Sequence, residues 1–237
     1  MESRDGIITR EELNLILLID NSYSMYNGRI AQLNSAIPTL KKSLMKIAED
    51  NCVDLKVRII AFSDEAVWKV GSVEQGEDIA NVVWQDLDVV GGTSTPKAIK
   101  EANKALRKQY LGAHALRPVV ILVTDGYCNP GEHNDYVAAI DEMKKRLAGN
   151  TKKEKVTRIA IGVEDYNRDE LIEFASEGII SDQYQPLVFE IDKATELGKI
   201  INWVTVTSMI SSITDDDTLD LGDIDWDDPD WGDDDDN

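Results

Sequence analysis

Three short stretches of this 237-residue chain carry oxygen side chains at the ends of oily runs, a pattern suited to ion binding. "ILLIDNSYSM" ends an aliphatic run on Asp20 and follows it with Ser22 and Ser24 at steps of two. "GGTSTPKAI" sets Thr93 behind a glycine pair, and "VILVTDG" ends a second aliphatic run on Asp125. In a loop leaving a strand, residues two apart can turn their side chains to one side, so Ser22 and Ser24 can reach the same ion. Carboxylates and hydroxyls without thiol or imidazole form the donor set of a hard divalent cation. Magnesium fits better than zinc: it keeps several waters in an octahedron at about 2.0 to 2.1 Å, needs few protein oxygens and leaves a position open. Either acid alone would read as a helix cap. Five oxygen residues on one crevice favour the metal.

That convergence requires a particular scaffold. "LNLILLID" (13–20) and "RPVVILVTDG" are nearly continuous aliphatic runs, which suit strands buried on both faces of a parallel sheet. Between and after them the apolar spacing turns helical, as in Ile30, Leu33, Ile37, Leu40, Leu44 and Ile47, with Pro38 a kink or late first-turn residue. "DLKVRIIAFS" and "AVWKV" around Ser63, Asp64 and Glu65 predict a hairpin that adds one antiparallel strand at the sheet edge. A polar helix is expected over 76–84, then a helix opened by Thr95 and Pro96 as cap and first-turn pair. A further helix is expected between Asn134 as cap and Gly149 as stop, then strand, helix, strand and a closing helix. The order β α β β α β α β α β α predicts an α/β fold: a three-layer, Rossmann-like, doubly wound and mostly parallel sheet with one antiparallel edge strand. In such a sheet ligands bind beyond the carboxyl ends of the strands, where strand order reverses, and that is where Asp20, Ser22, Ser24, Thr93 and Asp125 would meet.

The pieces "DNSYSM", "GGTSTPKAI" and "VTDG", in this order and rough spacing, resemble the metal-ion-dependent adhesion site of von Willebrand factor type A (VWA) domains. The likeness covers about residues 10 to 213. By motif position, Asp20, Ser22 and Ser24 resemble the direct or water-bridged ligands of the family's first loop, Thr93 the second-loop threonine and Asp125 the third-loop aspartate. The resemblance implies a Rossmann-like fold, Mg²⁺ or Mn²⁺ as the ion, and a protein partner whose Asp or Glu fills the open position. The chain departs from the family at Tyr23, where glycine is usual. If the loop needs positive φ there, tyrosine would distort the site. The "GGT" and "TDG" forms look most like bacterial stand-alone domains of the tellurium-resistance and stress-response type, which implies a stress-response or defence setting.

Composition bounds the rest. Of 45 acids, thirteen are Asp within residues 215 to 237, which hold no Lys or Arg; the remaining 32 face 25 bases, a balance of −7. A nucleic-acid partner is not expected, since binding phosphates needs a basic stripe. Two cysteines, Cys52 and Cys128, do not make a disulfide scaffold and fit a reducing, cytoplasmic setting. No window approaches the ~18 apolar residues of a membrane helix, and "MESRDGIITREEL" has no signal-like apolar stretch. The organisation expected is an N-terminal extension (1–12), a VWA domain (13–213) and an acidic tail (214–237), disordered when free, with Leu219, Leu221, Ile224, Trp226 and Trp231 as sparse anchors.

Alternatives accompany each reading. Cys128, Glu132 and His133 invite a zinc site but lack a second ligand pair, so a surface loop is expected, with Tyr127 and His133 on the crevice rim. His114 reads as a linker residue, and Ser94 and Thr95 as loop and cap. A metal-dependent phosphohydrolase would use Asp20 as nucleophile, yet that class needs a second acid where Ser22 stands, and the motifs supply no histidine or lysine as base. No enzyme activity is expected. The tail is a solubilising extension, a polyanion mimic, or an autoinhibitory pseudo-ligand whose Asp enters its own crevice or a neighbour's.

Overall fold

The computed structural model describes residues 10–26, 28–146, 156–164, 166–191, 194–213 and 219–222. Its strands are β1 (Glu11–Asp20), β2 (Val53–Phe62), β3 (Ala66–Val70), β4 (Glu77–Asp78), β5 (Val119–Thr124), β6 (Thr157–Val163), β7 (Glu177–Ile180), β8 (Gln183–Pro186) and β9 (Val188–Ile191). The helices are α1 (Arg29–Asp50), α2 (Thr95–Ala105), α3 (His133–Lys145), α4 (Arg168–Phe174) and α5 (Ala194–Ile213).

The main sheet runs β3-β2-β1-β5-β6-β9, with β4 also on β2. Pairs β1–β2, β1–β5, β5–β6 and β6–β9 are parallel, whereas β3 and β4 pair antiparallel with β2. The aliphatic runs explain the centre. β1 and β5 bury side chains on both faces, so alternation is absent and both faces need helices. Leu13, Leu15, Leu17 and Ile19 pack with α1 and α5, through Leu33, Ile37, Leu40, Leu44, Ile200, Ile201 and Val204. Ile16 and Leu18 face α2, α3 and α4, through Ala98, Ile99, Ala102, Ile140 and Leu171. The result is the expected three-layer α/β fold, and the order reverses beside β1, between its neighbours β2 and β5.

Several local expectations are corrected. No helix forms over 76–84: β4 is followed by a single 3₁₀ turn, Ile79–Asn81, capped by the Asp78 side chain on Ala80 N–H at 3.0 Å. The chain instead crosses α1 as a strap, because α1 offers it polar partners. Asn34 accepts from Leu87 N–H at 2.9 Å and donates to its carbonyl at 3.0 Å, and Lys41 reaches the Val82 carbonyl at 2.8 Å. Ser94 rather than Thr95 occupies the N-cap position of α2, without a side-chain capping bond, and Pro96 lies in the first turn; Glu132 rather than Asn134 precedes α3. Gly149 lies outside the described residues. The β7–β8 hairpin is additional to the expected elements. Four residues of the segment expected to be disordered are held against it: Ile179 N–H donates to the Leu219 carbonyl and Leu221 N–H to the Ile179 carbonyl, with Leu219 and Leu221 buried. Residues 214–218 and 223–237, and residues 1–9, lie outside the described residues.

Candidate metal centre

β1 ends on Asp20 and β5 on Thr124, so adjacent parallel strands deliver Asp20 and Asp125 to one edge of the sheet. Both acids are buried. Asp20 is fully engaged: Oδ1 accepts from Ser22 N–H at 2.8 Å and Oδ2 from the Thr124 hydroxyl at 2.6 Å. Thr124 Oγ1 in turn accepts from Gly126 N–H at 2.9 Å, which fixes the direction of its own proton toward Asp20. Burial nevertheless dominates and pushes the Asp20 carboxyl up to about 6, against the lowering pull of the Thr124 and Ser22 bonds; the Asp125 charge pushes it further up.

The two serine side chains come together just beyond the strand. After Asp20 the chain enters a 3₁₀ turn, Tyr23–Met25, and Ser22 Oγ lies 2.8 Å from Ser24 Oγ. Tyr23 does not have a positive φ, and its ring points to solvent, so this loop shape has no need of glycine at that position. The turn is tied to the second loop by Tyr23 N–H on the Gly91 carbonyl at 3.1 Å and Val90 N–H on the Asn21 carbonyl at 2.8 Å.

Thr93 is buried in that second loop, and its backbone is held on both sides. Its N–H donates to Asn129 Oδ1 at 2.9 Å, and Asn129 N–H returns a bond to its carbonyl at 2.9 Å. Gly92 N–H donates to Asp64 Oδ1 at 2.9 Å and Ser94 N–H to the Ser63 carbonyl at 2.7 Å. Glycine is required at position 91, where φ is +62° and a Cβ would lie 2.2 Å from Asp64 Oδ2. The β2–β3 hairpin thus shapes the loop that carries Thr93.

Asp125 differs from Asp20. Its Oδ1 is buried without a hydrogen-bond partner, and its Oδ2 lies 3.6 Å from Arg29 Nη1. Arg29, the first residue of α1, also donates from Nη1 to the Ser24 carbonyl at 2.9 Å and from Nε to Glu164 Oε2 at 2.8 Å. A buried carboxylate oxygen with no partner is expensive unless something binds it. A hard cation beside the paired Ser22 and Ser24 hydroxyls would satisfy it. The donor set of two carboxylates and three hydroxyl residues fits Mg²⁺ or Mn²⁺ chemistry. Among the described residues no cluster of three or more His, Cys, Asp or Glu offers an alternative metal site. Cys128 is held by burial as a thiol, its pKa pushed up to about 12, and its N–H donates to Glu170 Oε2.

A family model of the von Willebrand factor type A domain matches residues 14–203. The chain belongs to the von Willebrand factor type A domain family. Among solved structures, a VWA protein from Catenulispora acidiphila superposes with a TM-score of 0.58 at 20% identity, over 85% of this chain and 43% of that one. Proximal thread matrix protein 1 of the mussel byssus, with a zinc-occupied MIDAS motif, gives 0.52 at 20% identity over 85% and 46%. The ArnB paralog VWA2 from Sulfolobus acidocaldarius gives 0.50 at 18% identity over 82% and 45%. The chain therefore spans less than half the length of these three proteins, and at such identities the likeness shows the fold. No curated protein sequence matches the chain. VWA domains are often metal-dependent interaction modules and generally not enzymes. Among the described residues no helix is long and apolar enough to cross a membrane.

Five participants in the VWA crevice carry no signal in the motifs: Thr124, Asn129, Asp64, Arg29 and Glu164. Thr124 and Asn129 sit inside or just past "VTDG", but their roles depend on rotamers and loop paths. Arg29 reads in sequence only as the opening of an amphipathic helix.

Proposed function

We propose that this VWA domain is a Mg²⁺- or Mn²⁺-dependent protein-interaction module whose ion is held by Asp20, Ser22, Ser24, Thr93 and Asp125. The observation that carries the reading is the buried, unpartnered Asp125 Oδ1 at the crevice that also holds the paired serine hydroxyls. A bound ion would supply one open coordination position for the carboxylate of a partner's Asp or Glu. The chain does the rest: Thr124 and Ser22 orient Asp20, Asn129 fixes Thr93, and the exposed rim residues Tyr23, Tyr26 and Tyr127 discriminate between partners. The motif forms support a cytoplasmic role in bacterial stress response or defence, of the tellurium-resistance type.

A phosphohydrolase is disfavoured, because Ser22 stands where that class needs a second acid and the crevice motifs supply no histidine or lysine as base. The test is retention of protein partners by the immobilised chain in Mg²⁺ or in chelator, beside Asp125→Ala. Partners should be retained by wild type in Mg²⁺ alone, and a generic phosphate ester should not turn over. Equal retention by Asp125→Ala sinks metal bridging.

A further inference from the structure

Arg29 opens α1 at the edge of the crevice, and its guanidinium lies between two carboxylates of unlike standing. The Asp125 side chain is 3% exposed and that of Glu164 41%. Glu164 has the firmer grip, since Nε and Nη2 both reach its Oε2, at 2.8 and 2.7 Å. Nη1 donates to the Ser24 carbonyl at 2.9 Å and stands 3.6 Å from Asp125 Oδ2, beyond hydrogen-bond length. Arg29 therefore meets the buried acid by charge alone. Glu164 is placed at a cost, because its φ of 52° is left-handed backbone that a glutamate seldom adopts. Glu164 N–H on the Ile191 carbonyl at 3.2 Å and Tyr166 N–H on the Glu164 carbonyl at 2.9 Å keep that turn. An ion pair open to solvent contributes little to stability, so stability alone does not account for a glutamate held in this way.

From this arrangement we infer that Arg29 is a tethered cation standing in for the metal ion at Asp125, and that Glu164 is the outer holder that keeps the guanidinium once an ion displaces it. The inference rests on the metal reading above and adds two positioning residues to it. Asp20 and Asp125 are both buried at one sheet edge, and the Asp125 charge acts on Asp20, so the ion-free crevice needs a nearby positive charge. Arg29 supplies one. A guanidinium has a single charge and no coordination position to offer, so this state of the crevice is compensated without being able to take a partner's carboxylate.

Exchange is easy from this geometry. A divalent ion brings twice the charge and direct oxygen bonds, while Arg29 gives up only the long approach to Asp125 and keeps its bonds to Glu164 and the Ser24 carbonyl. Ser24 links the two events, because its carbonyl holds Arg29 and its hydroxyl lies 2.8 Å from Ser22 Oγ among the proposed ligands. Without Glu164, the guanidinium has Asp125 as its remaining carboxylate among these contacts and competes harder with the ion. The two residues therefore act on ion affinity with opposite signs, and Glu164 acts through Arg29.

The experiment is a double-mutant cycle read by calorimetry of Mg²⁺ into the full chain at physiological salt, where an exposed charge is screened beyond about 8 Å. Arg29→Met should bind Mg²⁺ several-fold tighter, Glu164→Gln several-fold weaker, and the double variant like Arg29→Met. Arg29→Gln, neutral but still able to donate to the Ser24 carbonyl, repeats the first arm should the methionine variant fold poorly. Nitrogen-15 NMR gives a second readout: the Arg29 Nε–H resonance should shift when Mg²⁺ is added and stay slow to exchange with water, since Glu164 retains it. Unchanged or weaker Mg²⁺ binding in both Arg29 variants overturns the inference and leaves the metal reading standing. Weakening by Glu164→Gln to the same extent with and without Arg29 also overturns it, because Glu164 would then act by its own charge. Absence of Mg²⁺ binding in wild type and every variant removes both readings.

Discussion

Replacing Asp20 by Asn should make the metal-free protein more stable. Burial raises the Asp20 pKa from 3.8 to about 6, so the folded state binds its proton more tightly than the unfolded chain does. The penalty for carrying the charge is therefore absent below about pH 4, grows as pH rises through about 6, and is complete at neutral pH, where it amounts to about 3 kcal/mol. Asn removes the charge and keeps an acceptor for Ser22 N–H. Its amide meets Thr124 Oγ1, whose proton must turn away, at a cost of about 1 kcal/mol. The net gain is about 2 kcal/mol, or about 4 to 8 °C in Tm for a domain of this size. Thermal unfolding in chelator at pH 7.5 measures it, with repeats down to pH 4.5. The gap should narrow with acidification as wild-type Asp20 takes up its proton. Added Mg²⁺ should raise the wild-type Tm and leave Asp20→Asn unmoved. A variant that melts below wild type in chelator, with a gap indifferent to pH, refutes the reasoning that a buried charge is being held for an ion.

Two further substitutions probe the residues around the ligands. Asn129→Ala removes the acceptor for Thr93 N–H, and Mg²⁺ affinity by calorimetry should fall about 10- to 100-fold while Tm in chelator changes little; unchanged affinity would show that Thr93 needs no such support. Arg29→Met removes a guanidinium 3.6 Å from Asp125 Oδ2 that competes with a cation for that carboxylate, so Mg²⁺ should bind several-fold tighter while the metal-free protein loses stability. Weaker binding by Arg29→Met would instead make Arg29 a support of the site.

The sequence made the centre of the fold legible because β1 and β5 are buried on both faces, and a parallel sheet between two helix layers asks for such unbroken aliphatic runs alternating with helical spacing. It made Asp20 and Asp125 legible for the same reason, since an acid that ends such a run must lie at a strand end. The strap through Val82 and Leu87 was not legible, because its path is set by Asn34 and Lys41 of α1, far away in sequence. The β7–β8 hairpin was hidden by its turn: Ser181 and Asp182 have φ of 49° and 60°, values usually signalled by Asn-Gly. Asp tolerates such angles, but no glycine marks the turn. Tyr23 stands where the family usually has glycine, and sequence alone leaves open whether the loop accepts it; the 3₁₀ turn does, since it needs no positive φ at that position. Arg29 shows a different limit, for its partners Asp125, Ser24 and Glu164 come from three separate loops that only the folded chain assembles.

The proposed site places one divalent ion among Asp20, Ser22, Ser24, Thr93 and Asp125. Anomalous scattering from a crystal of the protein soaked in Mn²⁺ tests it most directly. A single strong peak is expected at about 2.0 to 2.3 Å from the Ser22 and Ser24 hydroxyls, with Asp125 Oδ1 contacting it directly or through one water. A crevice without a peak, or a peak held by another group of residues while Asp125 Oδ1 stays unpartnered, would contradict it.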